Sequence, residues 1–200
     1  MAVLTFSRTY GCGVRELGQE LAQELDYMYF NKELIPLIFK RIREEKEKLK
    51  SQQSWTYSLT SSMINIVYST FPFVRIASLG ENYFTNSLTK VISDLADKGN
   101  IIILGRGSQI ILKDHPNTFH IRFTADLDYR VEHLQKAHTM QNMPREEIIQ
   151  TIRQEDKNRK EFIKYNFNQD IDNPLLYHLI IDCSKTSSAK IKQLIKNLID

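Results

Sequence analysis

The chain is short of every residue type that would place it in a special class. Only two of its 200 residues are cysteine, Cys12 and Cys183. That is too few for a disulfide scaffold, and reduced thiols in a cytosol are the simpler expectation. Seven glycines and five prolines exclude collagen-like and low-complexity classes. Charge of one sign is also scarce: 27 Lys+Arg stand against 24 Asp+Glu, a formal net charge of +3. So small an excess does not make a nucleic-acid polymer or an anionic membrane the default partner. No uninterrupted apolar stretch approaches the length that spans a bilayer. Ala2–Phe6 is a short apolar run with no basic segment before it, unlike a secretory signal, so a cytoplasmic location is expected. Metal chemistry is weakly signalled too. His115/His120 and His133/His138 are five apart and do not share a helical face, and no Cys-x-x-Cys or His-Glu-x-x-His occurs. What is present is 42% hydrophobic and 26% charged residues, the balance of a folding chain.

Along the chain, strand-like and helix-like segments alternate. Ala2–Phe6 is a continuous apolar run of the kind buried on both faces in a parallel sheet. Glycines interrupt it, and then Val14, Leu17, Leu21, Ala22 and Leu25 recur at helical spacing. Ile101–Leu104 repeats the strand, followed by Gly105-Arg106-Gly107. Thr118–Phe123 is another strand, with Leu127, Val131 and Leu134 on the helix behind it. Leu179–Ile181 is the last, with Ile191, Leu194, Ile195 and Leu198 on a closing helix. Strands separated by helix-length segments predict crossover units and a mainly parallel sheet.

Two regions break the alternation. Residues 34 to about 71 are mostly polar and include the charge run Lys40–Lys50, read as a solvated helix with i,i+4 pairs such as Glu44–Lys48. Phe84 to Leu95 then forms a helix that Gly99 ends. Pro144–Lys164 opens with proline at a first helical position and is dense in charge of both signs. Neither region has the apolar content of a separate domain.

The strand–glycine turn–helix at the start of the chain is an anion-binding arrangement. Backbone N–H groups at the helix start point at the ligand, and the helix dipole favours negative charge. The full phosphate-loop pattern is nevertheless absent. Arg8 stands where its first glycine belongs, Val14 where its lysine belongs and Arg15 where its magnesium-binding hydroxyl belongs. A turn that merely joins strand to helix is the competing explanation. Arg8 and Arg15 flank the loop, however, and a guanidinium grips phosphate oxygens with a two-pronged fork. Cys12, at a helix start, is expected to have a lowered thiol pKa. Farther on, Arg153, Asp156 and Arg159 fall three apart on one helical face. An acid between two arginines either positions them for a ligand or simply laces the helix surface.

Several segments together resemble the cytidylate kinase-like family. Ser7-Arg8-Thr9-Tyr10-Gly11-Cys12-Gly13-Val14-Arg15-Glu16-Leu17-Gly18 is similar to its opening Ser-Arg-x-Tyr-Gly-Ser-Gly-Gly-Arg-Glu-Ile-Gly. Tyr29–Ile35 resembles its Tyr-Asp-Lys-Glu-Leu-Ile, and Ile103–Gly107 its Val-Gly-Arg-Gly/Cys. Asp156-Lys157-Asn158-Arg159 resembles its Asp-Lys-x-Arg, and Asp182-Cys183-Ser184 its Asp/Asn-Thr-Ser. The matches run in order along the chain, with a poor stretch at about 36–80.

This resemblance implies a three-layer α/β P-loop kinase fold. Its parts would be a parallel five-stranded sheet in a core of residues 1–33, 81–140 and 165–200, a helical acceptor-binding insertion at about 34–80, and a lid at about 141–164. It implies ATP as donor, Mg²⁺, and CMP or dCMP as the first candidate acceptor. The segment Arg8, Gly11, Cys12, Gly13, Val14, Arg15 and Glu16 would hold the donor phosphates. Asn31, Arg106, Arg130, Asp156 and Arg159 would hold the acceptor, with Arg15, Arg153 and Arg159 supplying catalytic charge. Val14 replaces a glycine of the family and would put a β-branched side chain beside the phosphate path. Asn31 replaces the family's aspartate, and Gly107 stands where classical cytidylate kinases have the aspartate of Gly-Arg-Asp. Three activities are compatible with this pattern: a nucleoside monophosphate kinase, a nucleotide-binding protein without turnover, and a kinase of a non-nucleotide acceptor. The partners are nucleotides in the first two.

Overall fold

Ile101-Ile102-Ile103-Leu104 has all four side chains buried, the state an apolar run without alternation requires when both faces of its strand are covered. This strand lies in a computed structural model that describes residues 1–31, 34, 36–38, 40, 41, 44, 81–136 and 140–199. The chain divides into two compact units, Met1–Asn31 with Ile92–Asp200, and Lys32–Val91.

The first unit is built on five strands: β1 (Val3–Arg8), β2 (Met28–Phe30), β3 (Ile101–Leu104), β4 (Thr118–Thr124) and β5 (Leu179–Asp182). They form one sheet in the order β2-β3-β1-β4-β5, every pair parallel. The helices are α1 (Val14–Leu25), α2 (Glu81–Ala96), α3 (Ser108–Ile111), α4 (Leu127–Lys136), α5 (Arg145–Phe167) and α6 (Ser188–Ile199). Helix α2 begins in the second unit and ends in the first.

The two faces of the sheet differ. One is apolar throughout: Leu4, Phe6, Ile102, Leu104, Ile121, Phe123 and Ile181 meet Val14, Leu17 and Leu21 of α1 and Ile191 and Ile195 of α6. Phe6 and Phe123 pack edge to face with centroids 4.9 Å apart. Each such side chain contributes about 2 kcal/mol by leaving water. The other face carries buried Thr5, Ser7, His120 and Arg122, and each finds a polar partner, as burial demands. Thr5 Oγ1 lies 2.7 Å from His120 Nδ1. Burial first, and then the neighbouring His178, pushes His120 down to about 4, so the ring is neutral near pH 7. Arg122 donates to Ser7 Oγ at 2.8 Å and to Asp172 at 2.5 Å. Burial raises Asp172, but Lys160 and Arg122 outweigh it and hold the carboxyl below its ordinary range. Arg122 thus ties the chain beyond α5 to the end of β1, just before the glycine turn.

Several local expectations change. Strand β2 carries no periodic signal of its own: it is three residues long, half-exposed and at the sheet edge. Pro144 is the residue before α5, not its first turn. Helix α5 continues for 23 residues to Phe167, without a break at 164. In the charge run, the described pair is Lys40–Glu44 at 4.0 Å, both exposed, worth a few tenths of a kcal/mol. The expected Glu44–Lys48 pair falls outside the described residues. Among the described residues, no helix is long and apolar enough to cross a membrane.

Candidate phosphate-binding site

The neighbours β1 and β4 lie where the strand order reverses, with β3 and β2 on one side and β5 on the other. Ligands of open α/β sheets bind outside the carboxyl ends of strands at such a switch point. The Thr9–Gly13 turn after β1 and helix α4 after β4 both lie there. Gly13 (φ 77°) is the cap residue of α1, and no side chain caps the helix. Its first-turn N–H groups therefore have no side-chain acceptor from the cap.

Helix α4 packs directly on the turn. A Cβ at Gly13 would stand 3.0 Å from His133 Nε2, and one at Gly11 would stand 3.1 Å from the Arg130 carbonyl oxygen. Close approach as well as backbone conformation demands glycine at Gly13. Helix α5 reaches the same turn. The Tyr10 N–H donates to Asp156 Oδ1 at 2.7 Å, and Arg130 donates to Asp156 Oδ2 at 2.5 Å and to the Tyr10 carbonyl at 3.4 Å. Arg159 donates to the Arg8 carbonyl at 3.5 Å, and its guanidinium lies 5.1 Å from the Tyr10 ring centre. Its ion pair with Asp156 is 3.5 Å.

Positive charge is in surplus. Burial pushes the Arg8 guanidinium down to about 10, and the charges of Arg159 and Arg15 push the same way. Burial also lowers Arg159, against Asp156 and Glu155. A buried guanidinium with two like charges near it is a place an anion would relieve. Thr9 Oγ1, Arg130 Nε and His133 Nδ1 are buried without hydrogen-bond partners among the described residues. All three lie on the turn or on the helix packed against it. Others lie on α3 and β4, so the orphaned atoms do not by themselves single out the turn.

The other sequence candidates divide between core and surface. Cys12 and Val14 are buried in the apolar core. The Val14 side chain therefore packs into the sheet-face core, not beside the phosphate path. The Cys12 thiol is lowered to about 7, chiefly by a hydrogen bond from Cys183, whose own thiol is raised. Arg8's charge assists, and the helix start, expected to be the cause, is secondary. Arg15 and Glu16 are exposed on the first turn of α1. Arg106 sits between Gly105 and Gly107 in the left-handed region at φ 62°, a conformation costly for a side chain. A Cβ at Gly107 would stand 2.3 Å from the Phe167 ring, so the aspartate of classical cytidylate kinases has no room here. Asn31 follows β2 and is half-buried. Arg153 is exposed, and the second arginine on Asp156 is Arg130. Sequence reasoning missed the importance of Tyr10, Thr9 and His133. Tyr10 lies inside the quoted motif; His133 carries no signal of its own.

A magnesium ion held by the protein does not fit these residues. Arg15, a cation, occupies the position of the metal-binding hydroxyl, and among the described residues no cluster of three His, Cys, Asp or Glu could hold a metal ion.

No curated protein matches the sequence. The fold does recur among solved structures. An uncharacterized protein from Eubacterium ventriosum is similar over 100% of this chain and 99% of that one, with a TM-score of 0.70 and 15% identity. A shikimate kinase from Bacteroides thetaiotaomicron is similar over 99% and 98%, with a TM-score of 0.54 and 14% identity. The five-stranded parallel sheet in this strand order is thus a P-loop kinase fold. The cytidylate kinase-like family model matches residues 3–185, and the chain belongs to that family.

Proposed function

We propose that the protein is a phosphotransferase that moves the γ-phosphoryl group of ATP to a small acceptor, CMP or dCMP first. One observation carries the reading: Arg159, paired with Asp156, donates to the Arg8 carbonyl beside the glycine turn, and Arg159 and Arg15 both bear on the buried Arg8 charge. Phosphoryl transfer asks little covalent work of the protein; it asks for alignment and for positive charge around the moving group. Gly11, Gly13 and the start of α1 receive the donor phosphates, and Arg8, Arg15 and Arg159 neutralise them. Magnesium arrives with ATP as part of the substrate. Asp156 is a positioning residue, holding Arg130 and Arg159 over the turn while it accepts the Tyr10 N–H. Arg130, expected on the acceptor, contacts the turn and so lies on the donor side. Arg106 and Asn31, which follow the adjacent strands β3 and β2, are left to the acceptor; the choice of CMP rests on family membership.

A second reading, nucleotide binding without turnover, is favoured by Val14. At the place of the usual lysine, an apolar side chain is directed into the core. Transfer from MgATP across a panel of nucleoside monophosphates and small hydroxyl compounds decides between the two. Product with CMP or dCMP that falls sharply in Arg15→Ala supports the kinase. ATP binding with no product from any acceptor supports the second reading.

A further inference from the structure

We infer that His133 is a ligand of the donor phosphates, supplying from helix α4 the hydrogen-bond donor that the turn lacks at Val14; the inference rests on the donor site proposed above. The ring lies on the turn: Nε2, Cδ2 and Cε1 are 3.0, 3.3 and 3.6 Å from where a Cβ of Gly13 would be. Nε2 is thus the ring atom nearest the glycine that caps α1, whose dipole and N–H groups favour an anion. The other nitrogen, Nδ1, is buried without a partner among the described residues. A buried N–H with no acceptor is costly, which disfavours a proton on Nδ1 and favours one on Nε2, where a phosphate oxygen can accept it. Tyr129, stacked on the imidazole at 6.4 Å and 15°, fixes the plane of the ring. Arg130 lies three residues earlier on the same helix and carries an orphaned Nε of its own. One helix therefore offers two donors, imidazole and guanidinium, beside the turn. Val14, buried in the core, offers none.

The geometry makes a discriminating prediction. A glutamine amide nitrogen reaches about as far as imidazole Nε2, whereas an asparagine amide nitrogen stops at the level of Nδ1. The full-length protein is titrated calorimetrically with tripolyphosphate, and the ring nitrogens of ¹⁵N-histidine-labelled wild type are followed by NMR. Expected are about tenfold weaker binding in His133→Ala and His133→Asn, recovery to within about threefold of wild type in His133→Gln, and a tripolyphosphate-dependent shift of the His133 Nε2 signal. Unchanged affinity in His133→Ala and His133→Asn overturns the inference, as does an Nε2 signal that stays in place at saturation. The wild-type NMR arm needs no variant to fold. If Arg8→Ala abolishes binding while the His133 variants do not, this inference alone fails. If wild type does not bind tripolyphosphate at all, the donor-site reading fails with it.

Discussion

Two Gly-x-Gly turns end adjacent parallel strands of this sheet, and they are put to opposite uses. Each closes with a left-handed glycine that caps a helix without side-chain help: Gly13 before α1 and Gly107 before α3. After β1, the middle residue Cys12 is buried in the core, and the cations come from elsewhere, from Arg8, Arg15 and Arg159. After β3, the middle residue is itself the cation, Arg106, held in a left-handed conformation. The helix behind the turn has 12 residues in the first case and four in the second. Only the first has the length to present a dipole and a row of free N–H groups to a phosphate. The same short motif thus heads a twelve-residue helix in one place, the donor site proposed above, and in the other holds one arginine in a left-handed conformation. The length of the helix behind it and the side chains packed on it set the two apart.

The comparison can be broken in four ways, the largest effect first. If the β1 turn works with charge brought from outside, Arg159→Ala lowers kcat/KM for transfer by about 100-fold. Arg153→Ala, on the same helix but exposed, changes it less than about threefold. Equal effects from the two would mean that general helix charge, not convergence on the turn, is at work.

The second test concerns packing. Gly107→Ala meets the Phe167 ring and adopts a positive φ, so urea denaturation should show a loss of about 3 kcal/mol. Phe167→Leu in the same background should recover part of that loss. In Gly13→Ala the added methyl meets a side-chain tip, His133, that can give by a few tenths of an ångström, and the loss should be about 1–2 kcal/mol. Gly105→Ala is the control, since its Cβ would meet nothing within 4 Å; only backbone strain remains, about 1 kcal/mol. A reversed order of Gly107→Ala and Gly105→Ala would contradict the packing described.

Cys12 supplies the third test. Cys12→Ala removes a buried side chain and its hydrogen bond with Cys183 and should cost about 1–2 kcal/mol in the same assay. No loss would mean that the middle residue of the β1 turn is not a core residue.

The smallest effect concerns the β3 turn. Arg106→Gly keeps the left-handed conformation and should raise KM for the acceptor with little effect on ATP binding. A variant that keeps its acceptor KM would remove Arg106 from the acceptor site.

How much of the molecule is legible in its sequence depends on the range of the interactions. Strands β1, β3, β4 and β5 and the helices behind them can be read, because apolar runs and 3.6-residue periodicity are local signals. The edge strand Met28–Phe30 cannot, being too short and too exposed to carry a period. The glycines of both turns are legible as turns, but the reason for Gly13 is His133, far away along the chain. Helical spacing pairs Asp156 with Arg153 and Arg159; the fold keeps Arg159 and adds Arg130 and the Tyr10 N–H, from two other elements. Arg122 in the middle of a strand gives no hint that Ser7 and Asp172 satisfy it or that the Tyr177 ring lies under it. Local spacing finds elements; it does not find partners brought together by the sheet.

Arg8, Arg15 and Arg159 are proposed to hold the donor phosphates at the glycine turn. The most direct test is calorimetric titration of ATP into wild type and into Arg8→Ala, with folding of the variant checked by circular dichroism. Saturable binding to wild type is expected, weakened more than about tenfold in the variant. Equal affinity in the two folded proteins would contradict the proposal.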